Sequence, residues 1–226
     1  MSAKADAVDR ADTAKLSPQF HVAHHFDKAT TQFDAGRMGV WLFLVTEILL
    51  FGGLFCAFAI FRSKYFPSFV EAHRYLDPVM GGINTVVLIC SSLTMALGVR
   101  SAQKNESGKT TLLLLATLAC AAAFLVIKYL EYTHKIHAGL LPGKFFTASG
   151  FESGHAGIFF SIYFLMTGIH GLHVVIGMGL ITWILLRNMK SEFSSRYYAP
   201  VENVGLYWHL VDLIWIYLFP LLYLVG

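Results

Sequence analysis

Glu47, Glu131, His170, His173, His209 and Asp212 all fall within or at the edge of long apolar stretches of this sequence. A charge near the middle of a bilayer costs about 3 kcal/mol or more, so such residues are paired, neutralised or functional. Their spacing is regular. His170 and His173 are three apart, as are His209 and Asp212, and Lys128, Glu131 and His134 continue the pattern. On a helix each set shares one face. Glu47 lies about ten residues into its apolar run, roughly 14 Å deep at a rise of 1.5 Å per residue. A carboxyl at that depth must be protonated or matched to a cation or hydrogen-bond donor. Three kinds of chemistry fit these residue types. Interhelical hydrogen bonds would fix register, at about 0.6 kcal/mol each. A chain of acids and imidazoles would carry protons. Histidines would bind a metal or haem. Two imidazoles one turn apart need a third ligand for a facial metal site. A bis-histidine haem needs ligands from two helices, with His134, His170, His173 and His209 as candidates. His21, His24 and His25 have the form of one di-iron hydroxylase box. That chemistry needs several such boxes, so these three read as a tail element.

The elements that position these residues are membrane spans. Of 226 residues, 56% are hydrophobic and 14% charged, against about 25% charged in soluble domains. That balance excludes a soluble enzyme and a disordered chain, and a net charge of +3 is too small and dispersed for nucleic-acid binding. Apolar segments cover about 37–61, 79–99, 110–133, 155–186 and 203–225. Each meets the roughly 20 residues that a spanning helix needs. None shows the ten-residue alternation of a barrel strand. The fold class is therefore all-α, a polytopic bundle of five transmembrane helices, preceded by a polar tail over 1–35. Phe20, Phe26 and Phe33 give that tail something to pack with. No signal peptide precedes the first span, which would direct its own insertion. The linkers are too short for a soluble catalytic domain.

Cys56, Cys90 and Cys120 are scattered through apolar runs and read as small core residues rather than a disulfide or zinc framework. Trp41, Trp183, Tyr207, Trp208 and Trp215 read as interfacial anchors. Lys128, Lys135 and Lys144 count as flanking the loop after the third span. With the N-terminus inside, eleven Lys and Arg lie on the inner side and six on the outer. The positive-inside rule then predicts an inner N-terminus and an outer C-terminus.

Three strings carry a family resemblance. Gly39 to Phe51 reads GVWLFLVTEILLF, Thr167 to Val174 reads TGIHGLHV, and Tyr207 to Trp215 reads YWHLVDLIW, with Leu130-Glu131-Tyr132 before the third loop. In order and spacing they resemble subunit III of haem–copper oxidases over residues 36–226. The resemblance implies an accessory subunit that carries no haem or copper. It implies packing on catalytic subunit I beside subunit II, bound phospholipid, and support of proton uptake. It makes Glu47 the buried helix glutamate, hydrogen-bonded by His170 or His173. His209 and Asp212 become the final-helix pair and Glu131 the remaining buried acid. It also implies a bacterial inner-membrane complex, because the five-helix form occurs in bacterial cytochrome c and quinol oxidases. The seven-helix form has two further N-terminal helices where this chain has its polar tail. The electron donor is set by subunits I and II.

Overall fold

A chain in a bilayer has no water to satisfy its amides, so each apolar run closes its own hydrogen-bond ladder. The computed structural model describes residues 29–148, 151–152, 154–193 and 197–225. The helices are α1 (Ala29–Lys64), α2 (Phe66–His73), α3 (Pro78–Gln103), α4 (Ser107–His137), α5 (Ala156–Met189) and α6 (Ala199–Phe219). Pro220–Leu224 adds a π-helical turn after α6. Five of these elements are long and apolar enough to cross a membrane, so this is a multi-pass membrane protein. Among the described residues there is no strand, only an isolated bridge between Leu140 and Phe146. The tail residues His21, His24, His25, Phe20 and Phe26, and the side chain of Phe33, lie outside the described part.

The helices run past the apolar segments at most of their ends. Capping explains one such end. The Asp77 carboxylate accepts hydrogen bonds from the amides of Val79 and Met80, at 2.8 and 3.3 Å. Pro78 then occupies the first turn of α3, where its missing N–H costs nothing. The short α2 is not signalled by hydropathy. It buries Ser68, Phe69 and Ala72, and Phe69 meets Phe58 and Phe159 edge-on at 5.5 and 5.3 Å.

The core is aromatic. Trp208, Trp215, Tyr163, Phe159 and Phe160 are fully or almost fully buried. This corrects the anchor reading for Tyr207, which is buried as well, and for two tryptophans. Trp208 donates to Ser91 Oγ at 3.1 Å and Trp215 to Thr85 Oγ1 at 3.0 Å, so both indoles tie α6 to α3 inside the bundle. Trp41 and Trp183 do face outward. The cysteines also differ from expectation: Cys56 and Cys90 are exposed and Cys120 half-buried. They face away from the core, where an apolar residue in lipid needs no partner. Polar ties join other neighbours. Thr94 and Thr117 hydroxyls meet at 2.8 Å between α3 and α4. Asn188 Nδ2 donates to Ser107 O and Thr111 Oγ1, both at 2.9 Å, joining α5 to α4.

Gly177 sets the closest crossing. A Cβ there would stand 2.7 Å from two Trp208 ring carbons, whereas nothing lies within 4 Å of Gly179. Trp208 is fully buried and cannot retreat. Gly177→Val is therefore expected to cost about 1–3 kcal/mol by overpacking, and Gly179→Ala almost nothing. Thermal unfolding of the two variants in one detergent checks this.

Candidate functional site

The most heavily bonded polar group is built on the last turns of α4. Lys128, Glu131 and Lys135 are spaced by three and four, so all three point to one side. That side faces α5 and the C-terminal turn. Lys128 Nζ reaches Glu131 Oε2 and Lys135 Nζ reaches Oε1, both at 2.7 Å. Tyr163 and Tyr223 donate to the same Oε1 at 2.9 and 2.6 Å. Lys128 also donates to Tyr223 OH at 2.7 Å, with its ammonium 4.8 Å from the centre of the Trp215 ring. All three charged side chains are buried. This corrects the sequence reading of Lys128 and Lys135 as loop-flanking residues, and His134, expected on the same face as Glu131, is exposed. The signal was present as the Lys-x-x-Glu-x-x-x-Lys spacing. Tyr163 and Tyr223 come from distant segments and left no local trace.

Glu47 and His173 form a second group. Their Oε2 and Nε2 atoms lie 2.8 Å apart between α1 and α5, with both side chains 12% exposed. His173 Nδ1 lies 2.7 Å from Ile169 O. A carbonyl only accepts, so Nδ1 carries a proton. Nε2 and Glu47 then share a single proton: either Glu47 is acid and donates to neutral imidazole, or imidazolium donates to carboxylate. The two forms have the same total charge and differ only in where that proton sits. Phe51 covers the imidazole edge-on at 5.4 Å, and Tyr207 OH donates to His173 O at 3.0 Å.

His170 does not join this pair. It is fully buried between Phe124 and Trp215, whose ring centres are 5.6 and 5.1 Å away, and neither ring nitrogen has a hydrogen-bond partner. His209 and Asp212 share a face of α6 without bonding each other. His209 Nδ1 meets Ser92 Oγ at 2.7 Å. It also lines a cavity of about 400 Å³ with Arg100 and Glu202. Asp212 is buried, with Ser91 Oγ 3.4 Å from Oδ2 and no partner for Oδ1. Ser91 Oγ is closer to Leu88 O, at 2.8 Å, so its proton points there. Among the described residues no three of His, Cys, Asp and Glu converge on a common point. Both nitrogens of His173 are engaged, and aromatic rings flank His170 on two sides.

Outside the spans, His73 anchors α2. Its Nε2 donates to Tyr223 O at 2.8 Å. Burial, then the neighbouring Arg62 and Arg74, push its pKa below the ordinary 6.5. Folded protein thus binds fewer protons than unfolded protein as pH falls through 6.5, and stability falls with it. His73→Gln keeps a donor without the titration. Stability measured from pH 7.5 downward is expected to fall less steeply below 6.5 in His73→Gln than in the parent protein.

Comparison with known proteins identifies the family of the chain. The family model described as cytochrome c oxidase subunit III covers residues 20–226. A cytochrome c oxidase subunit 3 of Synechocystis is 34% identical over 193 residues, 85% of this chain and 76% of that protein. A quinol oxidase subunit 3 of Bacillus subtilis is 29% identical over 212 residues, 91% of this chain and 97% of that one. A haem–copper oxidase subunit I+III of Aeropyrum pernix is 30% identical over 198 residues, 85% of this chain but 23% of that longer protein. With the family model spanning the whole described bundle and its three signature strings, the chain belongs to the cytochrome c oxidase subunit III family and is an accessory membrane subunit of a haem–copper terminal oxidase.

Proposed function

We propose that this chain covers an apolar flank of catalytic subunit I, beside subunit II, and sustains proton delivery into a complex that reduces dioxygen to water and pumps protons. In this reading it carries no redox centre, and the haem and copper sit in the partner subunits. The electron donor, cytochrome c or quinol, is theirs to choose. Phospholipid occupies its uncovered faces. The Glu47–His173 hydrogen bond carries the proposal. The proton shared by acid and imidazole can move between them without changing the pair's total charge, and its release leaves a carboxylate charge that the next proton taken up neutralises, which is the cycle of a proton carrier. Glu131, His170, His209 and Asp212 are secondary. His209 faces the cavity with Arg100 and Glu202, which supplies water access from that end of the bundle.

Two observations support the placement. Residues Trp41, Leu42, Ile48 and Leu49 leave α1 with an exposed apolar face, and the Aeropyrum relative's name joins subunits I and III in one chain. For orientation, eleven Lys and Arg on the proposed inner side against six on the outer favour an inner N-terminus in a bacterial inner membrane.

The test is depletion. Oxidase stripped of this chain should keep its haem and its initial turnover but lose activity faster during sustained turnover. Equal decay with and without the chain would remove the proton-supply reading.

A further inference from the structure

The end of the bundle where α2 leads into α3 carries a charge that its own residues do not balance. Two buried ammonium groups, Lys128 and Lys135, meet one carboxylate, Glu131. The remaining partners, Tyr163 and Tyr223, are phenols. A buried excess cation is costly in a low-dielectric setting. Beside the cluster opens a cavity of about 610 Å³, walled by Glu131, Lys135, His134, Arg74 and Asp77. Arg74 and His134 are exposed, and neither has an ion-pair partner among the described residues. Asp77 is occupied in capping α3.

We propose that this cavity is an anion site for a phosphate-bearing group, held by Lys135, Arg74 and His134, which balances the buried cation. Three features favour phosphate over a small ion. Arg74 offers a planar fork that matches two oxygens of a tetrahedral oxyanion. The volume far exceeds that of a monatomic ion. Leu76, Met80 and Leu130 give the cavity an apolar side, as a headgroup leading to acyl chains requires. Basic pockets between spanning helices bind lipid headgroups for these reasons. The same chemistry also suits free phosphate. This site is independent of the proton-supply reading and lies apart from Glu47 and His173.

The test uses the purified oxidase complex containing this chain, as wild type, Arg74→Gln and His134→Ala. Both residues are exposed, so neither change threatens the fold, and circular dichroism confirms it. Phosphatidylglycerol and phosphatidylcholine are titrated by native mass spectrometry, and inorganic phosphate by equilibrium dialysis. Loss of one charge-assisted contact is expected to weaken anion binding roughly tenfold in Arg74→Gln, with phosphatidylcholine unaffected. Weakened phosphatidylglycerol binding identifies a lipid headgroup, and weakened phosphate binding alone identifies the free ion. Wild type that binds neither anion, or variants that bind as well as wild type, would overturn the site. A neighbouring subunit's carboxylate or loss of a lysine proton would then balance the charge.

Discussion

Glu131→Gln is expected to destabilise the subunit by about 3–5 kcal/mol, the range seen when one partner of a buried ion pair is removed. Glu131 is 3% exposed and accepts from Lys128, Lys135, Tyr163 and Tyr223. The amide keeps the shape but removes the carboxylate that pairs with both ammonium groups. Its NH2 also points a donor at groups that are themselves donors. The C-terminal turn should loosen with it, because Tyr223 loses its bond to the carboxylate. Replacing Lys128, Glu131 and Lys135 together by Met, Leu and Met should recover much of the loss, since apolar replacement of a whole buried ion cluster is often neutral. The temperature at which the subunit leaves the detergent-solubilised complex is the readout. A Glu131→Gln complex as stable as wild type would mean that the two lysines are not both charged.

Glu47 gives the second large effect, and two substitutions separate its roles. Glu47→Gln can still donate to His173 Nε2 and hold α1 on α5, but it cannot share a proton. Glu47→Ala loses both, at about 1–3 kcal/mol for the abandoned hydrogen bond. If the pair stores protons, both variants keep their haem and both lose activity faster during sustained turnover. If the pair is only a tie, Glu47→Gln decays like wild type and Glu47→Ala alone is unstable. His173 packs against Phe51, so the imidazole should keep its place in the glutamine variant.

The bundle was legible because a bilayer asks little of a sequence beyond length and apolarity. Five runs were visible, and five helices fit the span criterion. Helix ends were harder to place. The third run reads 110–133, yet α4 covers Ser107–His137, because its last polar turn is paid for by ion pairing rather than by hydropathy. Hydropathy counts Lys128 and Lys135 as boundary residues; only the position of Tyr163, Tyr223 and Trp215 shows them buried. Trp208 and Trp215 misled in the opposite sense. The place of Trp208 near its run's polar start suggested an interface, and Trp215 lies at mid-run, while both indole donors meet Ser91 and Thr85 inside. Local spacing put His170 and His173 on one face, but residues three apart still differ by roughly 60° around the axis. The packing of α1 on α5 brings His173 to Glu47 and leaves His170 between aromatic rings.

The measurement that bears most directly on the account is purification from native membranes through a C-terminal tag, with mass spectrometry and haem quantification of what copurifies. A large polytopic haem-bearing subunit and a copper-type partner are expected in fixed ratio to this chain, with the partner's sequence naming the electron donor. Recovery of this chain alone, coloured by haem or loaded with iron, would contradict this.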